Sequence, residues 1–258
     1  MSAANTILLF VGGALAGMIN AMAGGGSLLT VPLLSLVGVE GVLANATNRV
    51  AVLVQNGSAI YGFRKRGKGA GKEIVPVLVP VLVGGLVGSY AISGIDDETF
   101  ERLFGVLMIP LLVLALWKPR VGGSAAAGSA AGGDGDAAPE PWPTWVNWIV
   151  FFAVGLYMGS IQAGVGLILL LVLSRAGHDL VTGNAIKVWA ILSVSIVAVA
   201  VFVAKGQVAW WPAAVLSAGT AVGGYAGANL AVSGGERLIK PVLAVSVVAL
   251  AGRMIGLY

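Results

Sequence analysis

Residues 74–95 carry no charged side chain, and neither do residues 206–235. Runs of this kind constrain a fold more than anything else in the chain. A helix needs about 20 mainly apolar residues to cross the hydrocarbon core of a bilayer, and these runs supply them. The rest of the sequence agrees: 58% of the 258 residues are hydrophobic, 10% are charged and the mean hydropathy is +0.95. A soluble domain is about 25% charged, and a water-facing fold of this size cannot hide so much apolar surface. The chain is therefore expected to be an integral membrane protein. Backbone in lipid must satisfy its own hydrogen bonds, which leaves a helix bundle or a closed barrel. The apolar runs do not alternate with period two, so the expected class is an all-α integral membrane protein.

Eight long segments read as spans: Asn5–Ala23, Gly41–Phe63, Ile74–Ser93, Phe100–Trp117, Trp145–Ile161, Leu180–Ala204, Val208–Val232 and Leu238–Leu257. Two apolar pieces, Ser27–Leu36 and Leu167–Ser174, are too short to span, and each follows a glycine-containing break. They read as half-helices or re-entrant pieces. "AMA" at Ala21–Ala23 resembles a signal-peptidase site, but no Lys or Arg precedes Arg49, so the basic region of a signal peptide is missing and a first span is the better reading.

Residues 121–141, "VGGSAAAGSAAGGDGDAAPEP", are low-complexity and read as a flexible cytoplasmic linker. They divide the chain into residues 1–120 and 142–258, each expected to hold about four spans and one short piece. The two parts share an order. "NAMAGGGSLLTVPLLSLVG" from Asn20 answers to "GSIQAGVGLILLLVLSRAG" from Gly159, and "LANATNRVAVLVQNGSAI" from Leu43 to "LVTGNAIKVWAILSVSIV" from Leu180. Glycine break, short apolar piece, loop, Asn-containing start and a basic residue inside a helix recur, which points to a duplication.

Basic residues set orientation. "RKRGKGAGK" (Arg64–Lys72) holds five positive charges and is expected in the cytoplasm. With every long segment crossing, Lys118, Arg120, Lys205 and Arg253 share that side, and Arg102, Arg175, Arg237 and Lys240 lie opposite with "DDETFE" (Asp96–Glu101). The bias is nine to four, both termini are cytoplasmic, and an even number of crossings per half gives a parallel repeat. A short piece that crossed fully would make the repeat inverted. Trp142, Trp145, Trp148, Trp210 and Trp211 lie near span ends and read as interfacial anchors.

The chemistry gathers at the breaks. Glycine costs a helix about 1 kcal/mol relative to Ala, so Gly24, Gly25 and Gly26 together should end one helix and let Ser27 cap another. A helix N-terminus offers unpaired N–H groups and about half a positive charge, and binds anions. In transporters, broken helices aim such ends at anionic substrates near the midplane. Gly164 and Gly166 in "QAGVG" form the second copy. The paired glycines Gly84-Gly85 and Gly223-Gly224 read instead as helix-packing residues.

Arg49 and Lys187 fall seven or eight residues into their spans, while all eleven Asp and Glu lie in loops, in the linker or at span ends. Charge at depth costs a few kcal/mol or more and marks a pathway or a partner. Two cations and two helix ends without carboxylate partners describe an anion site. The ordinary alternative is that both cations snorkel to an interface. Asn45, Asn48 and Asn184, and Asn20 and Gln162 beside the breaks, could add neutral donors. The absence of a span carboxylate removes the usual proton carrier. The membrane potential alone supplies about 2.3 kcal/mol per charge per 100 mV for anion export.

"AGGGSLLTVPLL" (Ala23–Leu34), "LANATNRV" (Leu43–Val50) and the degenerate second copy resemble the sulfite exporter TauE/SafE family over nearly the whole chain. That resemblance implies a permease of two similar halves moving sulfite, organosulfonates such as sulfoacetate, or related sulfur oxyanions across the plasma or inner membrane. The second half departs from the family pattern with "AGVGLI" and "TGNAIK". From the residues themselves, the substrate is a small anion. An anion channel is the alternative, since glycine breaks and cationic rings also serve pores. An enzyme is not expected: with no Cys and one His, His178, the spans lack a nucleophile, acid/base cluster or metal site, and no cofactor is expected. The partners expected are the anion and membrane lipid but no nucleic acid, and a homo-oligomer stays open.

Overall fold

The computed structural model describes residues 1–23, 26–65, 74–117, 142–178 and 180–231, with some further side chains at the edges of those segments left out. Among the described residues all regular structure is helical. The helices are α1 (Ala3–Ala23), α2 (Ser27–Leu36), α3 (Gly41–Lys65), α4 (Val75–Ile92), α5 (Asp97–Trp117), α6 (Thr144–Ser160), α7 (Val165–Arg175), α8 (Leu180–Ala204) and α9 (Trp210–Ala231). Seven of the eight long segments read from the sequence are helices here, and both short pieces are too. The eighth, Leu238–Leu257, and the linker at 121–141 lie outside the described residues. Among the described residues, three stretches suffice by length and composition to cross a membrane: Ala3–Asn20, Val75–Ile92 and Ala185–Ala204.

Glycine sets how closely the helices approach. A Cβ on Gly155 would fall 2.3 Å from the Val81 carbonyl oxygen, and one on Gly159 would fall 2.0 Å from that of Gly85. From the other side, Gly84 and Gly88 would each meet α6 backbone oxygens at 2.1 Å, those of Phe152 and Leu156. No side chain fits there, and the register rises together on both helices, so α4 and α6 run parallel. α1 and α9 pack in the same way: Gly219 lies against the Phe10 carbonyl and Gly223 against that of Ala14. Gly84, Gly85 and Gly223 are thus packing residues, as expected of small residues in membrane helix contacts.

Each short helix runs antiparallel to a helix next to it in sequence. A Cβ on Gly26 would lie 1.9 Å from the Ala16 carbonyl, and one on Gly12 would lie 2.7 Å from the Leu33 side chain, so α1 and α2 form an antiparallel hairpin. α7 and α8 are antiparallel as well, with Gly166 beside Lys187 and Gly183 beside Leu173. Each short helix is wrapped in its own apolar core. One core joins α2 to Phe100, Phe104, Phe202 and Leu216. The other joins α7 to Val77, Phe151, Ile186 and Val194.

One end of the bundle is fixed by polar contacts. Asp96 accepts the Thr99 N–H at 2.8 Å and starts α5. Asp97 and Glu101 of α5 accept the N–H groups of Val42 (2.8 Å) and Gly41 (3.2 Å), capping α3 from outside. The Gln207 side chain donates to the Ser93 carbonyl at 3.0 Å, and the Lys205 ammonium sits 4.9 Å from the Tyr90 ring centre. The Ala209 N–H donates to Thr47 Oγ1 at 3.0 Å. The start of α3, the end of α4, the start of α5, the end of α8 and the start of α9 therefore share one face. This corrects the expectation that Ser93 and Lys205 lie on opposite sides. The physical reason is the short helix α7: it runs antiparallel to α8, whose end shares a face with the end of α4 and so of the parallel α6, and it brings the chain back after the break so that α6 does not complete a crossing.

Candidate functional site

A helix that stops leaves its last four carbonyls without partners, and in a dry interior each must find a donor. The end of α6 shows where they go. The Tyr157 carbonyl accepts from the N–H groups of Ile161 (2.9 Å) and Gln162 (3.2 Å). The Met158 carbonyl accepts from Arg49 Nη1, the Gly159 carbonyl from Arg49 Nη2 at 2.8 Å, and the Ser160 carbonyl from Asn45 Nδ2 at 2.7 Å. All four are satisfied, three of them by side chains of α3. The chain then turns through two residues of positive φ, Gln162 and Gly164, both at 65°. The Tyr157 hydroxyl donates to the Ala163 carbonyl across the turn, and α7 begins.

Arg49 is fully buried. Its Nη1 also donates to Gln162 Oε1 at 2.7 Å, while Gln162 Nε2 donates to Ser195 Oγ of α8 at 3.2 Å. The guanidinium therefore does not snorkel. Its charge faces backbone carbonyls, which carry the negative end of the α6 dipole. Counting carboxylates in the sequence could not find this partner, because a backbone acceptor belongs to no residue type. Arg49 Nε, Asn45 Oδ1 and Asn48 Oδ1 are buried with no hydrogen-bond partner among the described residues.

The two breaks meet. The Gly164 N–H, at the start of α7, donates to Ser27 Oγ, at the start of α2, over 3.1 Å. The N-cap of α2 is Gly26 with no side-chain cap, so Ser27 bridges the two short helices instead of capping its own. The positive ends of α2 and α7 thus converge, with Asn45, Arg49 and Gln162 close behind. Gly166 lies beside the stem of Lys187, a partly buried residue of α8. Asn184 is on the same helix, one turn earlier, and its side chain lies outside the described residues, as do Gly24 and Gly25 altogether.

Beside Gly26 and Ser27 is a small, partly open pocket with polar lining from Asn20, Thr30, Asn48, Gln55 and Thr220. Thr30, Gln55 and Thr220 were not singled out from the sequence, and neither were Tyr157 and Ser195. An isolated hydroxyl or amide in an apolar helix carries no signal of its own. Only the packing of α1, α2, α3 and α9 brings these groups together. Among the described residues, no group of three His, Cys, Asp or Glu could hold a metal ion.

A family model described as sulfite exporter TauE/SafE matches residues 9–254. The chain is similar to a probable membrane transporter protein, ORF9, of a Sinorhizobium species, at 25% identity over 96% of this chain and 91% of that one. A probable membrane transporter protein of Haemophilus influenzae is 26% identical over 96% of this chain and 93% of its own length. The probable membrane transporter protein YfcA of Escherichia coli K12 is 24% identical over 92% and 85%. No solved structure matches. With the family match running through α1–α9, the chain belongs to the sulfite exporter TauE/SafE family, and is a multi-pass membrane transporter and not an enzyme.

Proposed function

We propose that the chain exports small sulfur oxyanions, sulfite or organosulfonates such as sulfoacetate, across the plasma or inner membrane. The observation that carries this reading is the hydrogen bond from Gly164 N–H to Ser27 Oγ, 3.1 Å, which joins the starts of the two short helices. Two helix N-termini at one point give a fixed positive potential without a titratable group. The proposed anion site comprises Gly24, Gly25, Gly26 and Ser27 at one break and Gln162, Gly164 and Gly166 at the other. Asn45, Asn48, Arg49, Asn184 and Lys187 flank them. With no carboxylate needed, the membrane potential drives export.

The arrangement proposed around this site is two similar halves, residues 1–120 and 142–258, joined by the linker at 121–141. The pairings support it: α1 packs on α9 as α6 packs on α4, each pair crossing between halves, and α3 packs on α8. α1 and α2 form a hairpin, and α7 runs antiparallel to α8, whose end shares a face with that of α4 and so of the parallel α6; with Leu238–Leu257 crossing as the sequence expects, each half makes an odd number of crossings and the repeat is inverted. Lys205 joins the face of Asp96 and Arg175 the linker face; with Leu238–Leu257 crossing as the sequence expects, Arg237 and Lys240 would count with the linker face and Arg253 with Asp96, which changes the basic bias from nine to four into ten to three. The linker face is then cytoplasmic by the positive-inside rule, and both termini lie outside.

The test is uptake of labelled sulfite, sulfoacetate, sulfate and chloride into proteoliposomes under an imposed potential, then under a pH gradient. Potential-driven flux of a sulfur oxyanion that saturates at low rate is expected. Unitary currents would make the chain a channel, and flux of chloride alone would reject the substrate class.

A further inference from the structure

Two helices end at the breaks, and the end of α6 has its donors. Arg49 serves the carbonyls of Met158 and Gly159, and Asn45, one turn earlier on α3, serves that of Ser160. The end of α1 makes the same demand. Its described part stops at Ala23 and α2 starts at Ser27. The last four carbonyls of a helix have no partner within it, and the last turn of α1 holds no basic residue. The repeated order of motifs makes α1 the counterpart of α6 and α8 the counterpart of α3. Asn20 then answers to Gly159, and Lys187 to Arg49.

A run of contacts brings Lys187 to that end. A Cβ on Gly166 would lie 3.7 Å from Lys187 Cδ, so the lysine stem passes the first turn of α7. Two residues before Gly166, the Gly164 N–H donates to Ser27 Oγ at 3.1 Å, which sets the start of α7 against the first break. Gly26, at that break, packs on Asn20 of α1: a Cβ there would fall 2.7 Å from that of Asn20.

We infer that Lys187 is a positioning residue. Its ammonium donates to the carbonyls of the last turn of α1, between Asn20 and Ala23, as Arg49 does at the end of α6, and does not pair with the anion. The inference rests on the reading of the chain as two inverted halves around one anion site. The two caps are unequal. Gly183 stands four residues before Lys187, where Asn45 stands four before Arg49, and Ala23 stands in the place of Gln162. The end of α1 therefore depends on one side chain where the end of α6 has two. By fixing that end, Lys187 sets the place of Ser27 and the start of α2, and the charge of the anion is left to the two helix starts.

The experiment has two arms on the full chain. The first needs no transport. Asn20→Cys and Lys187→Cys are combined in the chain, which has no cysteine of its own, and treated with a short bifunctional methanethiosulfonate. With a protease site placed in the linker at 121–141, the two fragments stay joined after cleavage only where the pair has linked. Linking is expected, and Asn20→Cys with Arg175→Cys, at the far end of α7, should not link. The second arm measures the thermal midpoint and sulfite flux of Lys187→Met and Lys187→Gln. Methionine should lower both the midpoint and the maximal flux. Glutamine keeps an N–H donor without a charge, so it should recover part of each and hold KM within about threefold of the parent. A KM raised about tenfold or more in both variants, the worth of a hydrogen bond to a charged group, would make the ammonium an anion ligand and overturn the inference. So would a glutamine variant no better than methionine, or an Asn20–Lys187 pair that does not link. If the cysteine pair does not fold, the comparison of glutamine with methionine decides alone. If the parent moves no sulfur oxyanion, the exporter reading falls, while the cross-link and the midpoints still decide the role of Lys187.

Discussion

Arg49 concentrates what one residue can do in a membrane interior. Its guanidinium satisfies the carbonyls of Met158 and Gly159 and the Gln162 side chain at once. A planar fork with five N–H groups can do this; a lysine ammonium, a single point of charge with three donors, reaches fewer of these acceptors in one geometry. Arg49→Met should therefore leave three acceptors buried and unpaired, at about 1–3 kcal/mol each. The expected result is a large fall in the thermal midpoint of the detergent-solubilised protein, with Arg49→Lys between the two. An unchanged midpoint for Arg49→Met would mean that these bonds do not hold the α6 end in solution. The depth of Arg49 was legible in the sequence, and so was the company of Asn45 and Gln162. Its partners were not, because they are backbone groups released by a helix end that only the fold locates.

At the scale of elements, glycine does two different jobs that the sequence distinguishes by spacing. Adjacent glycines followed by a short apolar piece end a helix: the described part of α1 stops at Ala23 and α2 starts at Ser27. Glycines inside a long apolar run let two backbones touch. The seam between α4 and α6 tests this. A Cβ on Gly84 would lie 2.1 Å from the Phe152 carbonyl, and backbone cannot move aside as a side chain can. Gly84→Ala should destabilise the protein by about 1–3 kcal/mol. Gly57 of α3 has nothing within 4 Å of its would-be Cβ, so Gly57→Ala should be neutral or gain up to about 1 kcal/mol from better helix propensity. Thermal unfolding of the two variants side by side checks the contrast. Equal midpoints would show that the α4–α6 seam can open without loss. Which helix each glycine meets was not legible, since pairing between distant segments leaves no local pattern.

At the scale of the whole molecule, the repeated order of motifs was legible and the number of crossings was not. Counting each long segment as a crossing assumes that a break continues the direction of travel. Leu33 of α2 packing back over Gly12 of α1 shows that it reverses, and one reversal in each half changes the parity of everything after it. The chain contains no cysteine, so single cysteines report sidedness without background. Ser2→Cys, Gly94→Cys and Lys205→Cys should react with a membrane-impermeant maleimide in intact spheroplasts. Thr144→Cys and His178→Cys should react only in inverted vesicles. Reaction of Gly94→Cys and Lys205→Cys from opposite faces would restore an even number of crossings and a parallel repeat. Reaction of both from the cytoplasmic face would keep the inverted repeat but turn the molecule over, and the ten-to-three bias in basic residues would then need another cause. The orientation matters for transport because the two short helices are not alike. α2 is packed into the core on the face of Asp96 and α7 into the core on the other. If that first face is external, an exported anion meets the α7 side first and must pass the start of α2, with its triple-glycine break, before it leaves.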